Sequence, residues 1–218
     1  RSVWETNGYG QLTKHGKHRM YRLGNFLRRR YARHLPPISP RDLYIRSSTV
    51  DRCLESAQLL AAGFAPPTDA WRWTSSDIGA VWQPVPIYTM PRDQDGLLSP
   101  SSHCDRAYAL YGRIPESREV RTFLAIHWPV IQAVAERLGI PIGSYRKARD
   151  VYESLLCIRH HLLEDLDCDF SPLFPRSAAM FRAERLVTAE QQRALKAVFE
   201  ASFQFDFTGV LEPELRRL

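Results

Sequence analysis

The run Asp42-Leu43-Tyr44-Ile45-Arg46-Ser47-Ser48-Thr49-Val50-Asp51-Arg52 decides how the rest of the chain is read. It opens with a strand period, Leu43 and Ile45 facing one way and Tyr44 and Arg46 the other. The period then changes. Val50, Cys53, Leu54, Ala57, Leu60, Ala61 and Phe64 recur at three- and four-residue spacing, which predicts a helix with a buried apolar stripe. Ser48, with Asp51 three residues on, is a helix-start signal. Arg46 is therefore expected where a strand ends and a helix opens, beside several hydroxyls. A planar guanidinium next to unsatisfied helix N–H groups can hold a phosphate. The same spacing suits an ordinary strand–turn–helix whose arginine is solvated or paired with a carboxylate, and spacing alone favours that plainer outcome.

Composition narrows the setting. At 218 residues, 44% hydrophobic and 25% charged, the sequence fits one globular domain or one domain with a large insertion. No apolar run approaches the ~18–20 residues of a membrane-spanning helix. The opening Arg1-Ser2-Val3-Trp4 is neither an initiator methionine nor a signal peptide, so the chain is expected to be an excerpt or a processed product. The net charge of +6 favours anionic ligands in a general way. Cys53, Cys104, Cys157 and Cys168 are too scattered for a zinc pattern, and disulfides, buried thiols or bridges to other segments all remain open.

Much of the basic excess lies between Lys14 and Arg33, in a helix predicted from about Thr13 to His34 with Met20, Leu23, Leu27 and Tyr31 on one face. Such a helix could contact nucleic acid or an anionic membrane. No nucleic-acid signature accompanies the charge, so the expected role is the solvated outer face of a helix packed on a sheet. Pro36-Pro37 then forces a loop. Ala80 to Met90 reads as extended, its Pro84 and Pro86 suiting an edge strand. Helix, strand, helix, strand is the α/β pattern.

After Pro91 strands become scarce. Helices are predicted over 120–138, with a kink or break at Pro129, over 147–163 and over 190–207, and Glu164 to Asp169 is acidic. The organisation expected is part of an α/β core over 1–91, a helical cap insertion over 92–186, and over 187–218 a helix returning to the core.

Three stretches then carry a resemblance: Gly8-Tyr9-Gly10-Gln11-Leu12-Thr13-Lys14-His15-Gly16, Tyr44-Ile45-Arg46-Ser47-Ser48-Thr49-Val50-Asp51-Arg52, and Trp82-Gln83-Pro84-Val85-Pro86. In order and separation they resemble the histidine acid phosphatases, the branch of the prostatic and lysosomal enzymes, with Val151-Tyr152 and Cys157 as a weaker fourth match. The resemblance is strong from Trp4 to Met90 and mostly architectural beyond. It implies a three-layer α/β core with a mostly helical cap, here incomplete at both ends. It implies hydrolysis of phosphate monoesters at acidic pH through a phosphohistidine, without a cofactor. A histidine in R-H-G-x-R-x-P attacks phosphorus, neighbouring arginines and one later arginine hold the phosphoryl oxygens, and the aspartate of a later His-Asp pair protonates the leaving group. The later arginine matches Arg46, whose fork suits the charge spread over the equatorial oxygens.

The departures are as informative. No R-H-G-x-R-x-P and no His-Asp or His-Glu pair occurs among these residues. Lys14-His15-Gly16-Lys17-His18-Arg19 imitates the first motif but belongs to a helix start, and Arg159-His160-His161 lies inside a predicted cap helix. The chain by itself is therefore expected not to turn over. The resemblance bridges Cys104 and Cys157 to cysteines further along and gives Cys168 no counterpart, though pairing with Cys157 stays open, while Cys53, on the apolar stripe of its helix, is expected to be a buried thiol. The mammalian enzymes carry histidine where Tyr88 stands and tryptophan where Ala148 aligns. The resemblance further implies a secreted or lysosomal protein and, by analogy, a homodimer; no N-x-S/T glycosylation site is present. Two other readings are a catalytically inactive phosphatase fold that binds phosphorylated or anionic ligands, and a basic helix used for nucleic acid or membrane.

Overall fold

In the computed structural model the described residues are 8, 10–35, 38–74, 78–99, 104–162 and 186–207. Trp4 and Tyr9 of the first loop, the Pro36-Pro37 break, the acidic Glu164–Asp169 stretch with Cys168, and the chain beyond Phe207 lie outside them. The described chain is mostly helical and carries one two-stranded parallel sheet. It divides into two compact units, one from Asn7 to His103 and one built from Cys104 onward.

The first unit begins with helix α1, Lys14–Tyr31, whose N-cap is Thr13. The Thr13 hydroxyl oxygen accepts the Gly16 N–H at 3.1 Å, satisfying one of the donors that the first turn leaves over. Arg28, Arg29 and Arg30 fill the last turn, where cations complement the helix dipole. Strand β1, Ile45–Arg46, follows, and helix α2 spans Asp51–Phe64. A single helical turn, α3, covers Ile78–Val81, and strand β2 is Ile87–Tyr88. The strands run parallel, Ile45 opposite Ile87 and Arg46 opposite Tyr88, so the intervening chain with α2 makes the crossover that parallel pairing demands.

α1 and α2 meet through glycine. A Cβ on Gly24 would lie 2.2 Å from the Leu60 carbonyl oxygen and 2.8 Å from the Phe64 nitrogen. A Cβ on Gly63 would lie 2.2 Å from the Tyr21 carbonyl oxygen. The two backbones therefore touch, and only hydrogen fits at either position. This corrects the expectation of α1 lying on a sheet by its large apolar face: it packs on α2, and within this unit Leu23 and Tyr31 stay 40% and 48% exposed.

Two other expectations are corrected. Ser48 does not cap α2: the N-cap is Val50 without a side-chain bond, because the helix opens too far downstream for Ser48 to reach its second or third N–H. Ala80 and Val81 are helical, not extended, because the Trp82 N–H closes a turn onto the Ile78 carbonyl at 2.7 Å. Extended chain resumes only across Pro84 and Pro86, where the ring forbids further helix.

The second unit is a helical bundle. Its elements are α4, Asp105–Arg113, absent from the sequence reading; α5, Arg118–Leu138; α6, Tyr145–Leu162; and α7, Ala189–Phe207. Ser117 caps α5, its hydroxyl accepting the Val120 N–H at 3.3 Å. Gly139, at φ 71°, ends the helix in the left-handed conformation that glycine adopts at least cost. Of the kink or break expected at Pro129, the break does not occur, since α5 is one helix through that residue. Thr188 and Gln191 close a reciprocal capping box before α7, with bonds of 2.8 and 3.2 Å. Val120, Ile131, Val134, Leu138, Ile158, Leu195 and Val198 are fully buried in one cluster, close to the stripes that helical periodicity predicts. At the far end of α7, Asp206 accepts the Tyr145 hydroxyl at 2.7 Å and an Arg149 N–H at 2.9 Å. Burial, and then this carboxylate, push the Tyr145 hydroxyl well above its ordinary range. No helix among the described residues is long and apolar enough to cross a membrane.

Candidate functional site

Arg46 is the last residue of β1, and the Ser47 N–H continues the pairing by donating to the Tyr88 carbonyl at 2.9 Å. Tyr44 and Tyr88 stack across the strands with ring centres 5.0 Å apart. The backbone of Arg46 is thus fixed on both sides, and its side chain is 22% exposed.

One corner of the guanidinium is fixed as well. Nη2 donates to Asp95 Oδ1 and lies 3.9 Å from the Met90 sulfur. Nε and Nη1 make no hydrogen bond to any described residue. Asp95 follows β2 in a tight loop, and its side chain is only 2% exposed. Its Oδ1 also accepts the Leu97 and Leu98 N–H groups at 3.2 and 2.9 Å, while its own carbonyl accepts the Ser99 N–H at 2.9 Å. The plainer outcome of the spacing, an arginine paired with a carboxylate, therefore holds, but the pairing occupies one nitrogen and leaves two donor nitrogens, Nε and Nη1. Such a group can dock an oxyanion without first collapsing its side-chain freedom. Asp95 had no signal in the sequence, since it meets Arg46 across 49 residues with no shared periodicity.

The three quoted stretches fall in the same unit. Arg52 reaches back to the Gly10 carbonyl at 3.5 Å, and Gln11 donates to Asp51 Oδ2 at 3.3 Å, tying the first loop to the start of α2. Gly8 and Gly10 have φ of 79° and 74°, a conformation that explains glycine at both positions of this loop. Gln83 is buried and donates to the Ala65 carbonyl at 3.0 Å, closing the end of α2. Thr13, Gln11 and Gln83 thus have structural tasks, whereas Arg46 keeps unused donors.

The remaining sequence candidates fall as follows. His15 and His18 stand in the opening turns of α1, and His160 lies within α6, matching their reading as imitations of a strand-end motif. Cys53 is half-buried on α2, and no disulfide joins Cys53, Cys104 and Cys157 to one another. Ala148 is fully buried in the helical core, and Tyr88 is 49% exposed beside Arg46's strand.

Comparison with known proteins agrees with the motifs. A family model described as the histidine phosphatase superfamily (branch 2) matches residues 2–154. The lysosomal acid phosphatase of Xenopus laevis is 35% identical over 162 residues, covering 73% of this chain and 37% of that protein. The testicular acid phosphatase of Mus musculus is 34% identical over 167 residues, 75% of this chain and 38% of the relative. The prostatic acid phosphatase of Homo sapiens is 32% identical over 166 residues, 73% and 41%. The chain therefore spans less than half the length of these curated relatives. On the family match and these identities, the chain belongs to the histidine phosphatase superfamily, branch 2.

Proposed function

We propose that this chain is part of an acid phosphatase that hydrolyses phosphate monoesters through a phosphohistidine, and that Arg46 is one of its phosphate ligands. The observation that carries the reading is a guanidinium anchored at Nη2 with Nε and Nη1 left to donate. Membership of the superfamily and relatives named acid phosphatases support it. In this reading Arg46 orients the phosphoryl group and takes up the charge that builds on its equatorial oxygens as the bond to the leaving group breaks. The attacking histidine and the proton donor come from motifs that these residues do not contain.

The parallel β1–β2 pair with its helical crossover supports a three-layer α/β core of which residues 1–91 are a part, and in this reading the cap covers 92–186 and a returning helix 187–218. Relatives named lysosomal support a lysosomal or secreted setting, and a homodimer remains the analogy for assembly.

The test uses the full gene product and a simple aryl phosphate at acidic pH. Arg46→Ala is expected to lower kcat/KM about 100- to 1,000-fold, ~3–4 kcal/mol, as loss of an oxyanion donor does. Undiminished activity in that variant sinks the assignment. Phosphate binding without turnover in the unaltered protein replaces it with the non-catalytic reading, a fold that keeps the anion site alone.

A further inference from the structure

We propose that Asp95 is the positioning residue for Arg46: the buried carboxylate that holds the arginine in the pose from which it meets phosphate. The inference deepens the reading of Arg46 as a phosphate ligand and rests on it.

A carboxylate removed from water is costly unless its charge is matched and its oxygens are bonded. Asp95 is nearly inaccessible, and the loop is arranged around it. Oδ1 takes the Arg46 guanidinium and two backbone N–H groups, from Leu97 and Leu98. The Asp95 N–H and carbonyl are both engaged, with Arg92 at 3.4 Å and Ser99 at 2.9 Å, so the residue cannot swing away without unwinding the turn. Oδ2 is buried and bonds to no described residue. A group with this cost and no apolar packing role is explained by what it holds.

What it holds is a side chain with four rotatable bonds beyond Cα. A free arginine gives up that freedom when a ligand binds, and the loss subtracts from affinity. Asp95 removes it beforehand, and it does so at one nitrogen. The Met90 sulfur beside Nη2 adds a soft wall on the same side. Nε and Nη1 are then the donors offered outward. The opposite role, a carboxylate competing with phosphate for the arginine, fits less well. Asp95 is pinned from three sides by its own loop and has no route to withdraw when phosphate arrives.

The experiment is a double-mutant cycle on the full gene product, read by KM and kcat for an aryl phosphate and by inhibition with inorganic phosphate. Asp95→Asn keeps the shape and replaces the ion pair with a hydrogen bond from the guanidinium to a neutral amide oxygen, which is expected to raise the inhibition constant for phosphate and lower kcat/KM about tenfold. In an Arg46→Ala background the same change is expected to do nothing further. Tighter phosphate binding in Asp95→Asn overturns the proposal in favour of a competitor. An unchanged constant, or an equal loss in both backgrounds, also overturns it, the latter showing a structural effect only. If Asp95→Asn does not fold, Asp95→Ser, which can still accept the Leu98 N–H, takes its place in the cycle. Failure of the phosphate-ligand reading itself shows separately, as an Arg46→Ala variant with full activity.

Discussion

The two units of this chain are held together by opposite means. The helical unit relies on bulk: Ile131, Val134, Leu138, Leu195 and Val198 fill one cluster with virtually no exposure. The Asn7–His103 unit relies on the absence of bulk, two helices touching backbone to backbone at Gly24 and Gly63, with large side chains such as Phe26 outside the contact and 54% exposed within that unit. A helix pair that approaches this closely gains many small dispersion contacts and little apolar burial. The difference teaches that apolar periodicity marks a contact only where side chains make it.

The largest effect belongs to the helical unit. Leu195 has no exposure at all on α7, and Leu195→Ala deletes its methyl groups from a packed interior. The expected loss is about 2–5 kcal/mol, transfer and cavity together. Hydrogen exchange on the amides of α5 to α7 measures it locally, which matters because two units need not unfold as one. Exchange that stays slow there would remove the claim that bulk holds this unit.

Next comes the glycine contact, where two effects oppose each other. Alanine favours a helix over glycine by ~1 kcal/mol. Against that, the new Cβ would sit 2.2 Å from the Leu60 carbonyl oxygen, a backbone atom that cannot rotate aside. Overpacking costs about 1–3 kcal/mol where side chains can adjust, so Gly24→Ala is expected to destabilise at the upper end of that range. Faster exchange in α1 and α2, with α5 to α7 unaffected, is the expected pattern. A variant stabilised by the helix-propensity gain would show that the helices are free to part.

The same contrast explains what was legible in the sequence. Periodicity predicts α5, α6 and α7 to within two residues at every end, because Val, Ile and Leu at helical spacing are direct records of burial. α4 is the exception: Leu110, Tyr111 and Ile114 do recur at helical spacing, but the helix has only nine residues and its apolar stripe is too short to stand out between a loop and a turn. In the other unit the strand at Arg46 and the helix after it were visible, since the period changes from two to three and four within a few residues. The glycine crossing was not, because a missing side chain leaves no period. Arg46 is a candidate because of its flanking motif. Asp95 is not, because its partner lies 49 residues away and a loop aspartate has many uses. Sequence pattern reports local periodicity, whereas a buried ion pair is a fact of tertiary structure.

The smallest expected effect separates motif from chemistry. Thr13 ends the G-Q-L-T stretch, and its hydroxyl accepts the Gly16 N–H at the mouth of α1. Its place in a motif shared with phosphatases invites a chemical role, but the bond it makes is the ordinary one of an N-cap. Thr13→Ala is expected to cost ~1 kcal/mol, and Thr13→Ser or Thr13→Asn only a fraction of that, since each keeps an oxygen to accept the same donor. The measurement is the unfolding free energy of the Asn7–His103 unit, followed by exchange in the first turn of α1. The helix is anchored further along by Gly24 against α2, so fraying at the start should leave the crossing intact. A loss shared equally by all three variants would mean that the hydroxyl and its bond are not what Thr13 contributes, and the motif would then need another explanation at this position.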